Sequence, residues 1–259
     1  MSRIAQAFAG HKAFIPFITV GDPNLEATEQ IVHAAVDNGA DLIELGIPFS
    51  DPTAEGPVIM EADEIALKAG TTTDKVFDLT RQLRKTISIP MVYMTYANVV
   101  FSYGSEKFAK KAMEAGIDGI ILPDVPYEEK GDFDTVFSQY GIDLISMIAP
   151  TSEDRIATIA KEAKGFVYMV SSLGVTGTRA EITTDIGSMT RLVKQNTSIP
   201  CAVGFGISTP EQAKKMAELS DGAIVGSAII KIIQQYGADA AKQVGLYVKS
   251  LADAVHSLK

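Results

Sequence analysis

The 259-residue chain has one cysteine, Cys201, and no tryptophan. A lone thiol can form no internal disulfide and supplies no cysteine-rich zinc site, and it suits a reducing compartment. The three histidines, His11, His33 and His256, fall in terminal or helical stretches, which supports neither a histidine metal site nor a serine–histidine triad. Lysine and arginine number 23 against 32 acids, giving a net charge of −9 with no basic cluster. That balance disfavours nucleic acid and anionic membranes as partners. No apolar run approaches membrane-spanning length, and MSRIAQAFAG lacks a signal-peptide core, so a cytoplasmic location is expected. Lysine is absent from the strand-like runs and their C-terminal ends, which argues against a Schiff-base aldolase. No dinucleotide fingerprint follows the first strand, where Gly21-Asp22-Pro23 reads as a turn. Asp22, Glu44, Asp51 and Asp124 could in principle hold Mg²⁺, but their spacing gives little support, and no metal is expected.

What is present is a regular alternation. Short β-like runs at 13–20, 41–46, 90–96, 118–124, 143–149, 165–170, 200–205 and 221–226 are separated by helical spacing. Helices are predicted over 25–39, 58–69, 73–86, 105–115, 128–139, 152–163, to about 195, over 209–219 and over 227–257, after a short N-terminal helix. No low-complexity stretch or linker divides the chain, so 1–259 reads as one domain. Eight strand–helix units in this length match an α/β fold of the (β/α)8 TIM-barrel type better than an open doubly wound sheet. Asn38-Gly39-Ala40-Asp41, Ala115-Gly116-Ile117-Asp118 and Ser220-Asp221-Gly222 recur as helix stops and strand starts at the bottom face. The active face is then the C-terminal ends of the strands.

Those ends carry acids, glycines and aromatics. Glu44 interrupts the apolar run DLIELG, and a loop with Pro48, Pro52 and Pro57 follows, holding Asp51 and Glu55. A buried acid must be paired, protonated or used. Gly174, Gly177, Gly204, Gly206 and Gly226 allow close backbone approach to an anion, and Ser227 sits at a predicted helix N-terminus. Phe17, Met94, Tyr96, Leu122, Tyr168 and Phe205 cluster near strand ends and suit a flat apolar ligand group. The residues alone thus point to carboxylate acid/base chemistry on a phosphate-bearing substrate.

FIPFITVGDP (14–23), ELGIPFSDP (44–52), YMTYANVVF (93–101), LPDVPYEE (122–129), SSLGVTGTR (171–179), GFGIS (204–208) and GSAIIKII (226–233) resemble, in order, the motifs of the tryptophan synthase α-subunit family. The resemblance implies a lyase that cleaves indole-3-glycerol phosphate to indole and glyceraldehyde 3-phosphate by retro-aldol chemistry without its own cofactor. It implies an α₂β₂ complex in which only the β subunit carries PLP. Carried over by motif, Glu44 performs the proton transfers and Glu55 holds the indole N–H. Phe17, Met94, Tyr96, Leu122 and Phe205 line the indole pocket, and Tyr168 touches the glycerol phosphate. Gly177, Gly206, Gly226 and Ser227 bind phosphate. Thr176 and Asp124 serve loop closure, with Thr176 also orienting Glu44. Pro48, Asp51 and Asn98, with the 123–130 region, meet β. Two positions depart from the family pattern: Glu55 stands where aspartate is usual, and Met60 where glutamine is usual. The longer acid adds roughly 1.5 Å of reach. A free-standing lyase active without β is one alternative; a regulatory subunit that mainly activates β is another, motivated by these two departures.

Overall fold

The computed structural model describes residues 2–171, 185–204 and 206–258. Among these, nine strands run β1 (Ala13–Thr19), β2 (Ile43–Gly46), β3 (Met91–Met94), β4 (Gly119–Ile121), β5 (Asp143–Leu144), β6 (Ser146–Ile148), β7 (Val167–Val170), β8 (Cys201–Gly204) and β9 (Gly222–Val225). The helices are α1 (Arg3–Ala7), α2 (Leu25–Asp37), α3 (Pro57–Lys68), α4 (Thr73–Leu83), α5 (Ala97–Tyr103), α6 (Ser105–Ala115), α7 (Lys130–Gln139), α8 (Glu153–Lys161), α9 (Ile186–Asn196), α10 (Pro210–Leu219), α11 (Ser227–Tyr236) and α12 (Ala241–His256). Every strand pairing is parallel, in the order β5-β4-β3-β2-β1-β9-β8-β7-β6. β5 and β6 are one strand position interrupted at Ile145, so the two ends of the sheet meet there and eight positions close into the expected TIM barrel.

All seven residues of β1 are buried, and so are all four of β2, β3, β7, β8 and β9. Side chains on one face fill the barrel and those on the other meet the helix ring, which is why these runs read as continuous apolar stretches. The helix starts are satisfied locally: Asn24, Thr72 and Thr209 cap α2, α4 and α10 through side-chain oxygens, and Thr209 with Gln212 completes a capping box. Gly116 ends α6 in the left-handed conformation at φ 86°. α5 has no counterpart in the predicted helices. It opens directly at Ala97, where the sequence offers no capping side chain, and its first N–H is met instead from afar by Asp124 at 3.1 Å.

The strand-start acids tie the bottom of the barrel together. Asp41, Asp118 and Asp221 accept the backbone N–H of Phe14, Met91 and Cys201 at the head of a neighbouring strand. Each also meets cationic side chains: Asp118 pairs with Arg3 and Arg84, and Asp221 with Lys12 and Lys194. Asp41 takes His11 on one oxygen at 2.8 Å and His256 on the other at 2.7 Å. Two histidines remote in sequence therefore meet at one carboxylate, joining the segment before β1 to the end of α12. No helix among the described residues is long and apolar enough to cross a membrane.

Candidate active site

Buried polar atoms mark the opposite end. Among the described residues, the buried side-chain oxygens without a hydrogen-bond partner belong to Thr19, Asp22, Glu44, Glu55 and Thr95. Thr19 ends β1, Asp22 lies in the turn after it, Glu44 is in β2, Glu55 is in the loop after β2, and Thr95 follows β3. Buried polar atoms are almost always paired, so this concentration at the C-terminal ends of three adjacent strands singles out a place built for something besides stability.

Glu44 is 1% exposed and neither of its carboxylate oxygens has a partner among the described residues. Burial, and next the charge of Glu55, push its pKa up to about 8. Register places it beside Phe17 on β1 and Val92 on β3. Glu44 shares a small cavity, about 30 Å³, with Phe17, Met94, Tyr168, Gly206, Gly226 and Ser227, all singled out by the sequence, and with Ile59, Ile207 and Ile224, which were not. The isoleucines gave no sequence signal: Ile59 in α3 and Ile224 in β9 read as core, and Ile207 lies in the connection after β8 among residues noted for their glycines. Two glycines make the packing possible. A Cβ on Gly46 would lie 2.6 Å from the Phe17 ring, and one on Gly204 would lie 2.4 Å from the Tyr168 hydroxyl. Burial, with the Glu44 charge added, holds Tyr168 protonated by raising its pKa well above the usual value.

At the far side of this cavity α11 begins. Gly226 is its N-cap, no side chain caps it, no acid occupies its first turn, and Ser227 is buried at its first position. The opening amides of a helix have no intrahelical acceptor and carry the positive end of the dipole, so an anion is favoured here.

The loop after β2 folds over the acid. Glu55 is 8% exposed and accepts from the Tyr96 hydroxyl, while Tyr96 accepts from the Ala54 N–H at 3.2 Å and stacks on Phe49 at 5.3 Å. Glu55 also meets Asp63 of α3, an acid that sequence reasoning missed because its helical neighbourhood reads as a solvated face. Burial raises the Glu55 pKa, opposed by the hydrogen bonds from Asp63 and Tyr96. Asp63, 4% exposed, is pushed up to about 9 by burial first and by the Glu55 charge next. Asp22 is pushed up to about 6 by burial, with Glu61 adding to it.

Other expected site residues fall elsewhere. Leu122 lines a separate cavity of about 300 Å³ with Ala54, Tyr127 and Arg155 and is not among the described residues that line the cavity of Glu44. Tyr96 acts through the loop rather than as cavity lining. Thr176, Gly177 and Phe205, with Gly174, lie outside the described residues. Asp124 is exposed and occupied with the Ala97 N–H. Asp51 and Asn98 are exposed. Pro48 is not: the chain turns inward directly after β2, burying Pro48 and laying Phe49 on Tyr96. The loop therefore presents Ser50, Asp51, Thr53 and Pro57 to solvent, not the apolar patch that its proline content suggests. Met60 is 42% exposed, and the side chains that meet Glu55 are Asp63 and Tyr96. Among the described residues one cluster, His11, Asp41 and His256, has ligand-type atoms close enough for a cation, and it lies at the far end of the barrel with its atoms in hydrogen bonds.

Comparison with known proteins agrees with this geometry. The family model described as "Tryptophan synthase alpha chain" matches residues 4–256. The tryptophan synthase alpha chain of Lacticaseibacillus casei is 44% identical over 259 residues, covering 100% of this chain and 97% of that one. The crystal structure of tryptophan synthase subunit alpha from Legionella pneumophila superposes with a TM-score of 0.90 at 40% identity, covering 100% of both chains. The structure of the tryptophan synthase complex from Pyrococcus furiosus gives a TM-score of 0.86 at 34% identity, over 94% of this chain and 99% of that one. The fold, the acid-bearing strand ends and these full-length matches lead to one conclusion: the chain belongs to the tryptophan synthase alpha chain family.

Proposed function

We propose that the chain cleaves indole-3-glycerol phosphate into indole and glyceraldehyde 3-phosphate as the α subunit of an α₂β₂ tryptophan synthase. The observation that carries this reading is Glu44: a fully buried carboxyl without a partner among the described residues and with a pKa of about 8, in one cavity with a helix N-terminus that no side chain caps among those residues. A carboxyl titrating there holds its proton at neutral pH yet can give and take it. Glu44 donates a proton to indole C3, which turns the ring into a leaving group. It then accepts the proton of the glycerol hydroxyl next to the breaking carbon–carbon bond, so the aldehyde forms as indole departs and the carboxyl is regenerated. Glu55 supplies negative charge at the indole N–H, where positive charge develops. Phe17 and Met94 flank the ring, Tyr168 meets the glycerol phosphate, and the Gly206, Gly226 and Ser227 backbone receives the phosphate. The cavity holds little more than a water, so substrate enters only as its lining moves apart.

Both proton transfers and the charge stabilisation fall to side chains of this chain, so the reading assigns it no cofactor and leaves PLP chemistry to β. The Pyrococcus furiosus complex supports a partner subunit; Asp51 and Asn98, exposed beside the site, are its proposed contacts. Work of this kind belongs in the cytoplasm. Indole release from indole-3-glycerol phosphate, measured with and without β for the natural chain and for Glu44→Gln, tests the proposal. Cleavage stimulated by β and abolished by Glu44→Gln is the expected result. Full activity without β would make it a free-standing lyase. No cleavage with β present, while β is still stimulated, would leave a regulatory subunit.

A further inference from the structure

Glu55 does not reach its place alone. It precedes Gly56, the N-cap of α3, and its carboxylate meets the side chain of Asp63 two turns into that helix. Both are buried, at 8% and 4% exposure, and among the described residues neither forms an ion pair. Two carboxylates in contact without a cation cannot both ionise, so the pair keeps a proton between them.

The surroundings decide which oxygen carries it. Glu55 accepts from the Tyr96 hydroxyl, and Asp63 accepts from the Phe49 N–H. The charges acting on Asp63 are those of Glu55 and Asp22, both acidic. Glu61 acts on Asp22, Glu55 acts on Glu44, and Asp124 acts on Tyr96, so the whole neighbourhood is acidic. α3 otherwise carries Glu64 and Lys68, paired with each other at 2.9 Å on its exposed side, and α11, packed along it, carries the exposed Lys231. Asp63, pushed up to about 9, is the member that holds the proton; Glu55, with hydrogen bonds from both Asp63 and Tyr96, is the anion.

We propose that Asp63 is a positioning residue for Glu55: its protonated carboxyl donates a hydrogen bond that, with the Tyr96 hydroxyl, clamps the Glu55 carboxylate where it meets the substrate's ring N–H. This rests on the role given to Glu55 above. It also accounts for the longer acid at that position. A carboxylate with an extra methylene has more rotamers to lose, and two convergent donors from different elements restrict it. Asp63 touches neither substrate nor reacting atoms; it acts through Glu55.

The test is the rate of indole release against pH, with β present, for the natural chain, Asp63→Asn, Asp63→Ala and Glu55→Gln. Asparagine is neutral at every pH, can donate to Glu55 and can accept from the Phe49 N–H. Asp63→Asn is therefore expected to stay within about twofold of the natural kcat at pH 7. Above pH 9 the natural chain loses two protons, from Glu44 and from Asp63, and log kcat/KM falls with a slope approaching two; Asp63→Asn falls with a slope of one. Asp63→Ala is expected to lose kcat by roughly tenfold or more, with KM changed far less. Natural kcat in Asp63→Ala, or an unchanged alkaline slope in Asp63→Asn, overturns the proposal. If Asp63→Ala does not fold, the Asp63→Asn profile decides by itself, since a merely structural carboxyl would leave that slope alone. Full activity in Glu55→Gln would instead remove Glu55 from the mechanism, a separate failure of the underlying reading.

Discussion

Phe17 and Glu44 face each other across the β1–β2 pair, and the ring of Phe17 occupies the space where Gly46 has no side chain. The apolar wall of the site and its central acid are thus set by one strand register and one glycine. Gly46→Ala would put a methyl 2.6 Å from the ring tip. The ring must shift in the cavity it shares with Glu44, so we expect a loss of about 1–3 kcal/mol in stability and a raised KM for indole-3-glycerol phosphate. Chemical denaturation and steady-state kinetics on the variant check both.

In the proposed mechanism Glu44 links catalysis to stability. Its carboxyl titrates at an ordinary 4.5 when unfolded and near 8 when folded. Between those values the folded chain holds the extra proton, so its stability declines as pH rises through that window and stays low above it. Glu44→Gln removes the slope. The variant should lose at least about a hundredfold in kcat and yet unfold at a higher temperature than the natural chain, by more at pH 9 than at pH 5. Calorimetry at the two pH values measures this.

The opposite end of the barrel also loses stability as pH rises, but there it is the charged form of the side chain that the fold holds. The hydrogen bond to Asp41 raises the His256 pKa above 6.5. That contribution is fully present below the unfolded value and disappears as pH climbs through the folded one. His256→Ala should therefore destabilise the chain by up to about 1 kcal/mol at pH 6 and by less at pH 9. Because the staple lies at the N-terminal ends of the strands, indole release should be unchanged. A fall in kcat would show that the barrel ends are coupled.

The start of α11 offers a test of the anion site that leaves the fold in place. Ser227→Asp adds a carboxylate at the first position of that helix, where the dipole tolerates it and the bound phosphate would not. The unfolding temperature should fall slightly, since the dipole offsets only part of the cost of burying the new charge beside Glu44. KM for the phosphorylated substrate should increase roughly tenfold or more, the effect of one like charge at short range in a poorly solvated site. An unchanged KM would move the phosphate elsewhere.

Much of this was local enough to read in the chain. Continuous apolar runs and glycine stops each act within a few residues, so Ala13–Thr19, the helix after Thr209 and the Gly116 helix end were legible one segment at a time. Eight such units have one favoured closed arrangement, and closing them carries Phe17, Glu44, Met94, Tyr168, Gly206, Gly226 and Ser227 to one cavity. What only the tertiary structure decided depends on contacts between segments. Leu122 and Glu44 sit at ends of different strands, and whether they share a wall depends on how the intervening loop fills the barrel mouth. Pro48 is buried because Phe49 finds Tyr96. Asp63 reads as a surface acid until α3 is turned against the loop that carries Glu55, and His11 and His256 read as unrelated until the ends of the chain meet at Asp41. Sequence determines which groups can ionise or bend the backbone; burial and proximity, which the closed barrel alone provides, determine which of them do chemistry.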